Sequence, residues 1–301
     1  MDSYTNVVIK PKSLERNLIS NIKNIELDDL PSVKDSKSSY SKIRMNLGLK
    51  TSYGDILSGK DSISKFKEGS GRSILGLSMP PADSSGIAEL CAWKDRCQDD
   101  CVGVGGNNKF GLAYLGKLSR LKLLIENPKE WLTILVDSLD KVSDKYGQKN
   151  VGVRMNVYSD IRWENILPEW FWDRYSEIIF YDYTKHPINS RPKENFPQNY
   201  FLTYSVSGRS TDEEILKQIN AGRSIALVVE TLGGIDRRTG NKRPLPIKTA
   251  KNIVDGDFND RRYLDKPGSI VMLRRKNGLP LSNSLVIDNV RLNTIKELIN
   301  S

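Results

Sequence analysis

The sequence predicts an α/β protein: a mostly parallel sheet of about seven strands, wound as a complete or partial (β/α) barrel, behind an irregular N-terminal extension. Three observations lead to it. Short runs rich in β-branched and aromatic residues recur from Arg72 onward. Stretches of helical period lie between several of them, so that strand and helix alternate. The runs also close on polar residues, as strands do when their C-terminal ends face a binding site.

In chain order, residues 1–70 stand apart. They hold thirteen Ser, mixed charges and short apolar clusters such as NLISNIKNIEL, which predicts a weakly structured arm with one or two short helices. Residues 71–301 are read as the barrel-like domain. Seven runs in it read as strands: SILGLSM, VGVRMNVY, EIIFYDYT, YFLTYSVS, SIALVVE, NIVDGD and SIVMLR. Between the first two, Leu112 to Tyr146 carries apolar residues at helical spacing and breaks near Asn127-Pro128, since proline lacks the N–H a helix interior needs. TDEEILKQINAG reads as a capped helix ended by Gly222.

Composition bounds the function. The chain has 301 residues, 38% of them hydrophobic, with five Trp and twelve Tyr, enough to bury a core. A mean hydropathy of −0.47 and the absence of any long apolar run predict no membrane span. The N-terminus MDSYTNVVIKPKS has no apolar segment of a secretory signal, so the expected location is the cytoplasm, the host's if the chain is viral. The net charge is +9, and residues 231–276 hold twelve Lys or Arg against five Asp. That basic segment is expected to meet a nucleotide or nucleic acid, the bland reading being a solvated basic surface.

All three cysteines fall in LCAWKDRCQDDCVGVGG, Leu90 to Gly106, with the spacing Cys-x5-Cys-x3-Cys. In a reducing compartment clustered thiols bind metal more often than they form disulfides, and an odd count closes no disulfide framework. Cys91, Cys97 and Cys101 are therefore candidate metal ligands. An iron-sulfur cluster held by three thiolates would keep one iron open to substrate or S-adenosylmethionine. Zinc would need a fourth ligand, His186 or a carboxylate, and His186 is the chain's one histidine. The stretch GLAYLGK, Gly111 to Lys117, approaches a phosphate-binding loop but continues into Leu118, where a Ser or Thr would be required.

The strand ends supply the remaining candidates. Asn156, Ser159 and Asp160 follow one run; Asp182, Lys185 and His186 close or follow the next; Ser205, Ser207 and Arg209 follow a third; Asp255, Asp257, Asp260 and Arg261 follow a fourth. Any one of them is more often a cap or turn residue. Together they predict one face, with Asn156, Ser159, Asp160, Asp182 and Lys185 binding substrate or cosubstrate, and Asp255, Asp257 and Arg261 closing its far side.

The order LSMPPADSSG, the three-cysteine loop, RMNVYSDIRWE, FYDYTKHP, LTYSVS and VDGDFNDRR resembles the phage and plasmid gene product 88 family over roughly Lys50 to Lys276. The resemblance implies a viral or mobile-element origin. The cysteine loop is also similar to that of phage proteins related to radical S-adenosylmethionine enzymes, whose spacing is Cys-x3-Cys-x2-Cys. The leading expectation is an iron-sulfur protein, of the radical S-adenosylmethionine-like kind, acting on a nucleotide or nucleic acid. The alternatives are a zinc-stabilised nucleic-acid-binding protein and a Mg-dependent phosphate-ester enzyme using the acidic strand ends.

Overall fold

A computed structural model of the chain describes residues 8–50, 55–58, 73–95, 97, 101, 103, 111–232, 241, 243–245, 252–258, 260–275, 281–282 and 286–300. In chain order these form α1 (Pro11–Ile22), α2 (Val33–Asn46), β1 (Leu57–Ser58), β2 (Ser73–Leu77), α3 (Gly111–Glu126), α4 (Pro128–Tyr146), β3 (Val151–Arg154), α5 (Trp163–Ile166), α6 (Glu169–Arg174), β4 (Ile179–Thr184), β5 (Tyr200–Ser205), α7 (Asp212–Asn220), β6 (Ser224–Leu232), β7 (Ile253–Asp255), β8 (Ile270–Arg275), β9 (Val286–Ile287) and α8 (Asn289–Asn300). All seven expected strands are present, as β2 to β8.

The nine strands make one mixed, mostly parallel sheet in the order β1-β2-β3-β4-β5-β6-β8-β7, with β9 beside β6. β1 is the antiparallel member, pairing Leu57 with Leu77. The sheet is open: among the described residues its end strands β1 and β7 do not pair. Of the complete or partial barrel expected, the complete, closed form is therefore not found. Strand number alone does not close a sheet; tilt and stagger must also bring the first and last strands into register.

Contacts divide the chain into two compact units. The first comprises residues 1–92, 101–180 and 196–200, and the second residues 93–100, 181–195 and 201–301. In the first, β2 pairs in parallel with β3, Ile74 opposite Gly152 and Leu75 opposite Val153. Trp131 of α4 stacks on Trp163 of α5 at 5.2 Å and 3°, both fully buried. Leu14, Leu18 and Ile22 of α1 and Tyr40 of α2 are buried as well, and the Tyr40 hydroxyl lies 3.1 Å from that of Ser119 on α3. The helix break falls where proline predicts it: α3 stops at Glu126 and Pro128 opens α4.

In the second unit β6 is flanked by β8 and β9, all parallel, and β7 lies outside β8. Ile225, Leu227 and Val229 of β6 meet Ile215 of α7 and Leu292 and Ile295 of α8 in one apolar core. α7 begins on Thr211, whose side chain accepts the N–H of Glu214, the N-cap arrangement that satisfies an otherwise orphaned donor. Just beyond its end Gly222 turns the chain at φ +74°, where a side chain would be strained.

Candidate functional site

The thiol-bearing loop follows β2. A parallel bridge joins Ile9 to Ala88, and the Ser85 hydroxyl accepts the N–H groups of Ile87 and Ala88. The N–H of Asp160 donates to the carbonyl of Leu90 at 2.9 Å, which ties the residue before Cys91 to the loop after β3. The Cys91 N–H then donates to Glu89 Oε1 at 2.8 Å, and its thiol lies 3.8 Å from the carbonyl oxygen of Tyr158.

Cys101 reaches the same tyrosine by another route. Its sulfur accepts the N–H of Gly103 at 3.4 Å. Gly103 is wedged so tightly that an added Cβ would stand 3.0 Å from both Pro81 Cγ and Tyr158 Cγ, so a larger residue would push the turn off its seat. The Gly103 carbonyl accepts from Lys117 Nζ of α3 at 2.6 Å, and that ammonium sits 4.6 Å above the Tyr158 ring. Lys117 is 3% exposed. Burial pushes its ammonium down from 10.5 to about 8, the charge of Cys101 working against that and Arg120 with it. The attraction is mutual: a cation that a thiolate holds protonated also favours that thiolate. Cys91, Cys101, Gly103, Lys117 and Tyr158 thus make one cluster within the first unit. Lys117 sits mid-helix in α3, inside the GLAYLGK stretch that only approaches a phosphate-binding loop, and the loop it bonds to reveals its use.

Cys97 lies in the second unit, half-buried in the middle of the loop. Among the described residues no three His, Cys, Asp or Glu side chains gather as a metal ion requires. The three thiols are therefore not a ready-made ligand set as they stand.

After β3, Asn156 organises its own loop. Its Oδ1 accepts from the Ser159 hydroxyl at 2.8 Å, the Ile161 N–H at 3.0 Å and Trp163 Nε1 at 3.2 Å, while its Nδ2 donates to the Ile161 carbonyl at 2.9 Å. Ser159 and Asp160 are buried beside it, and Asp160 lines a shallow cleft with Glu15 and Glu89.

The remaining predicted residues belong to the second unit. Asp182, Thr184 and His186 are buried; the Thr184 hydroxyl accepts the His186 N–H, and Lys185 Nζ lies 3.4 Å from Ser205 Oγ. Asp255 and Asp257 grip one guanidinium. Arg274 donates to Asp255 Oδ1 at 2.7 Å, Asp255 Oδ2 at 2.9 Å and Asp257 Oδ2 at 3.3 Å, and its Nε donates to the carbonyl of Arg243. Burial pushes the Asp255 carboxyl up, but the Arg274 hydrogen bonds and charge and the Asp257 N–H outweigh it and hold it below its ordinary value. Between the two carboxylates, Gly256 passes so close to β8 that a Cβ would meet Val271 at 2.6 Å and Leu273 at 2.7 Å. Arg261 is buried.

In the basic segment 231–276, Arg261, Arg262 and Arg274 are all buried, and Arg262 and Arg274 pair with Asp265 and Asp255. These three guanidinium groups therefore lie inside the fold. Arg237, Arg238, Lys242, Lys248, Lys251 and Lys276 lie outside the described residues.

Among the described residues no helix is long and apolar enough to cross a membrane. No curated protein and no solved structure shows a significant match. The profile of the gene product 88 family matches residues 49–292. That stretch contains the cysteine loop, Lys117 and every strand from β1 to β9, and the chain belongs to the gene product 88 family.

Proposed function

We propose that this phage- or plasmid-type protein works through the thiolate cluster in the loops after β2 and β3, and that Cys91, Cys97 and Cys101 take up an iron-sulfur cluster to act on a nucleotide or nucleic acid. The setting of Cys101 carries the reading: an N–H and a buried ammonium favour its thiolate, beside the tyrosine that Cys91 also touches. Thiolates, not thiols, bind metals. The strand order β2 to β6, each strand beside the next, supports the reading as a partial (β/α) barrel. In such a sheet the loops after the strands are where sites form.

The chain's own residues have definable tasks. Gly103 leaves room for the close turn, Lys117 supplies positive charge, and the Leu90–Asp160 hydrogen bond sets where Cys91 begins. The three thiols do not form a ligand set as they stand, so metal uptake would rearrange the 91–101 loop and release protons. The likeness to radical S-adenosylmethionine enzymes is a resemblance of the cysteine loop alone, and its spacing departs from theirs. Zinc bound by the same thiols is the alternative occupant.

Anaerobic purification with iron, sulfide and zinc analysis tests the proposal. Iron and acid-labile sulfide in matching amounts, lost in Cys101→Ser and in Cys91→Ser, are expected. Zinc in their place supports the alternative, and protein that takes up neither after reconstitution refutes the metal reading.

A further inference from the structure

We infer that Trp93 and Arg209 form a platform for a nucleobase carrying phosphate, either as a free nucleotide or within a single strand. This deepens the reading above and rests on its nucleotide or nucleic-acid substrate. Both residues belong to the second unit.

Trp93 differs from the other four tryptophans. Trp131 and Trp163 are 0% exposed, Trp172 7% and Trp93 40%, and Trp170 donates its indole N–H to the Ile25 carbonyl. A half-exposed indole gives up burial that the rest of the core exploits. Its orientation is nonetheless held. It meets the His186 ring edge-on, with centroids 6.4 Å apart and planes at 65°. His186 is itself fixed at the end of β4: its N–H donates to the Thr184 hydroxyl, its Nδ1 lies 3.3 Å from Ser190 Oγ, and its carbonyl accepts from Gln218 Nε2.

A cation is anchored to the backbone next along the chain. Arg209, exposed in the turn after β5, donates from one terminal nitrogen to the carbonyl of Lys94 at 2.8 Å, the residue following Trp93. Among the described residues no carboxylate forms an ion pair with Arg209. Its planar fork keeps further donors for an oxyanion. A fixed indole accepts the face of any base by stacking, and a guanidinium anchored on the next residue's carbonyl accepts its phosphate. An apolar ligand would have no use for the arginine, and inorganic phosphate would have none for the indole.

The test is titration of the full-length, metal-free protein with two probes, ATP and a short fluorescein-labelled oligo(dT), followed by tryptophan quenching and by anisotropy. Binding of at least one probe is expected, weakened about tenfold or more in Trp93→Ala and in Arg209→Ala and largely retained in Trp93→Phe. Binding of ATP alone identifies a mononucleotide ligand, and binding of oligo(dT) alone identifies a single strand. Two results overturn the proposal: neither probe binds, or both alanine variants bind as the unaltered protein does. Because no metal is present, the outcome is independent of the iron and sulfide measurement. Circular dichroism melts of the variants, expected to match the parent, separate lost binding from lost folding.

Discussion

Replacing Lys117 with Met keeps an unbranched side chain of similar length and removes the ammonium. In the metal-free protein the effect on stability should depend on pH. Burial lowers Lys117 from 10.5 to about 8, so between those values the unfolded chain still holds a proton that the folded chain has released. Stability therefore rises with pH through that window. Below about pH 8 the folded protein carries the full cost of the buried charge, about 3 kcal/mol at ~1.4 kcal/mol per tenfold change in proton affinity. The methionine variant escapes this cost but withdraws the 2.6 Å donor from the Gly103 carbonyl, which costs ~1–3 kcal/mol, and the cation above Tyr158, worth ~1 kcal/mol. Near about pH 7 these changes roughly cancel, and the two proteins should unfold within ~1 kcal/mol of each other. By about pH 10.5 the gap should widen by about 3 kcal/mol in favour of lysine. Urea denaturation of both proteins across this range measures the gap. A gap that stays constant with pH would refute the reasoning, because Lys117 would then hold its proton in the folded state as readily as in the unfolded one.

Two further expectations concern the frame around the site. Arg274→Met should cost about 1–3 kcal/mol, because it removes the guanidinium that the partly exposed Asp255 and Asp257 carboxylates share. Arg274 holds Asp255 below its ordinary value, so this contribution is present above the usual carboxylate range and fades as pH falls through it. The variant should accordingly lose part of the acid limb of the stability profile, and an unchanged profile would count against the clamp. Ile22→Ala, at a fully buried position of α1, should lower stability by about 2–5 kcal/mol in thermal melts. A loss under ~0.5 kcal/mol would mean that α1 packs too loosely to matter.

The seven principal strands were legible because each is a run whose β-branched and aromatic residues have no helical use. The α3–α4 break was legible in Pro128, and the start of α7 in Thr211 and Glu214. β1 and β9 were not, since two-residue strands pair through backbone alone and leave no side-chain pattern. The acidic strand ends were visible, but not what occupies them. Asp255 and Arg274 stand 19 residues apart and meet because β7 and β8 are neighbours, a relation that only the register supplies. Asn156 likewise stands out in the sequence, while its bonds to Ser159, Ile161 and Trp163 of α5 appear only once the loop after β3 is folded. Openness of the sheet was beyond reach too, because the count of strands is the same for an open and a closed winding.

The position of β7 has a consequence for how the chain is made. β2 to β6 are laid down side by side in the order of synthesis, so each new strand finds its neighbour already in place. β7 breaks the sequence: it is synthesised before β8 yet lies outside it. Until residues 270–275 leave the ribosome, β7 has no edge to join, and the carboxylates of Asp255 and Asp257 have no Arg274. β8 must then insert between β6 and β7, completing two pairings and the clamp together. A nascent chain arrested before β8 would expose the bare flank of β6, an unpaired edge of the kind that invites aggregation. An inner strand of this sheet is thus made after the outer strand it separates from β6, and only the short β9, which joins β6 as well, is made later.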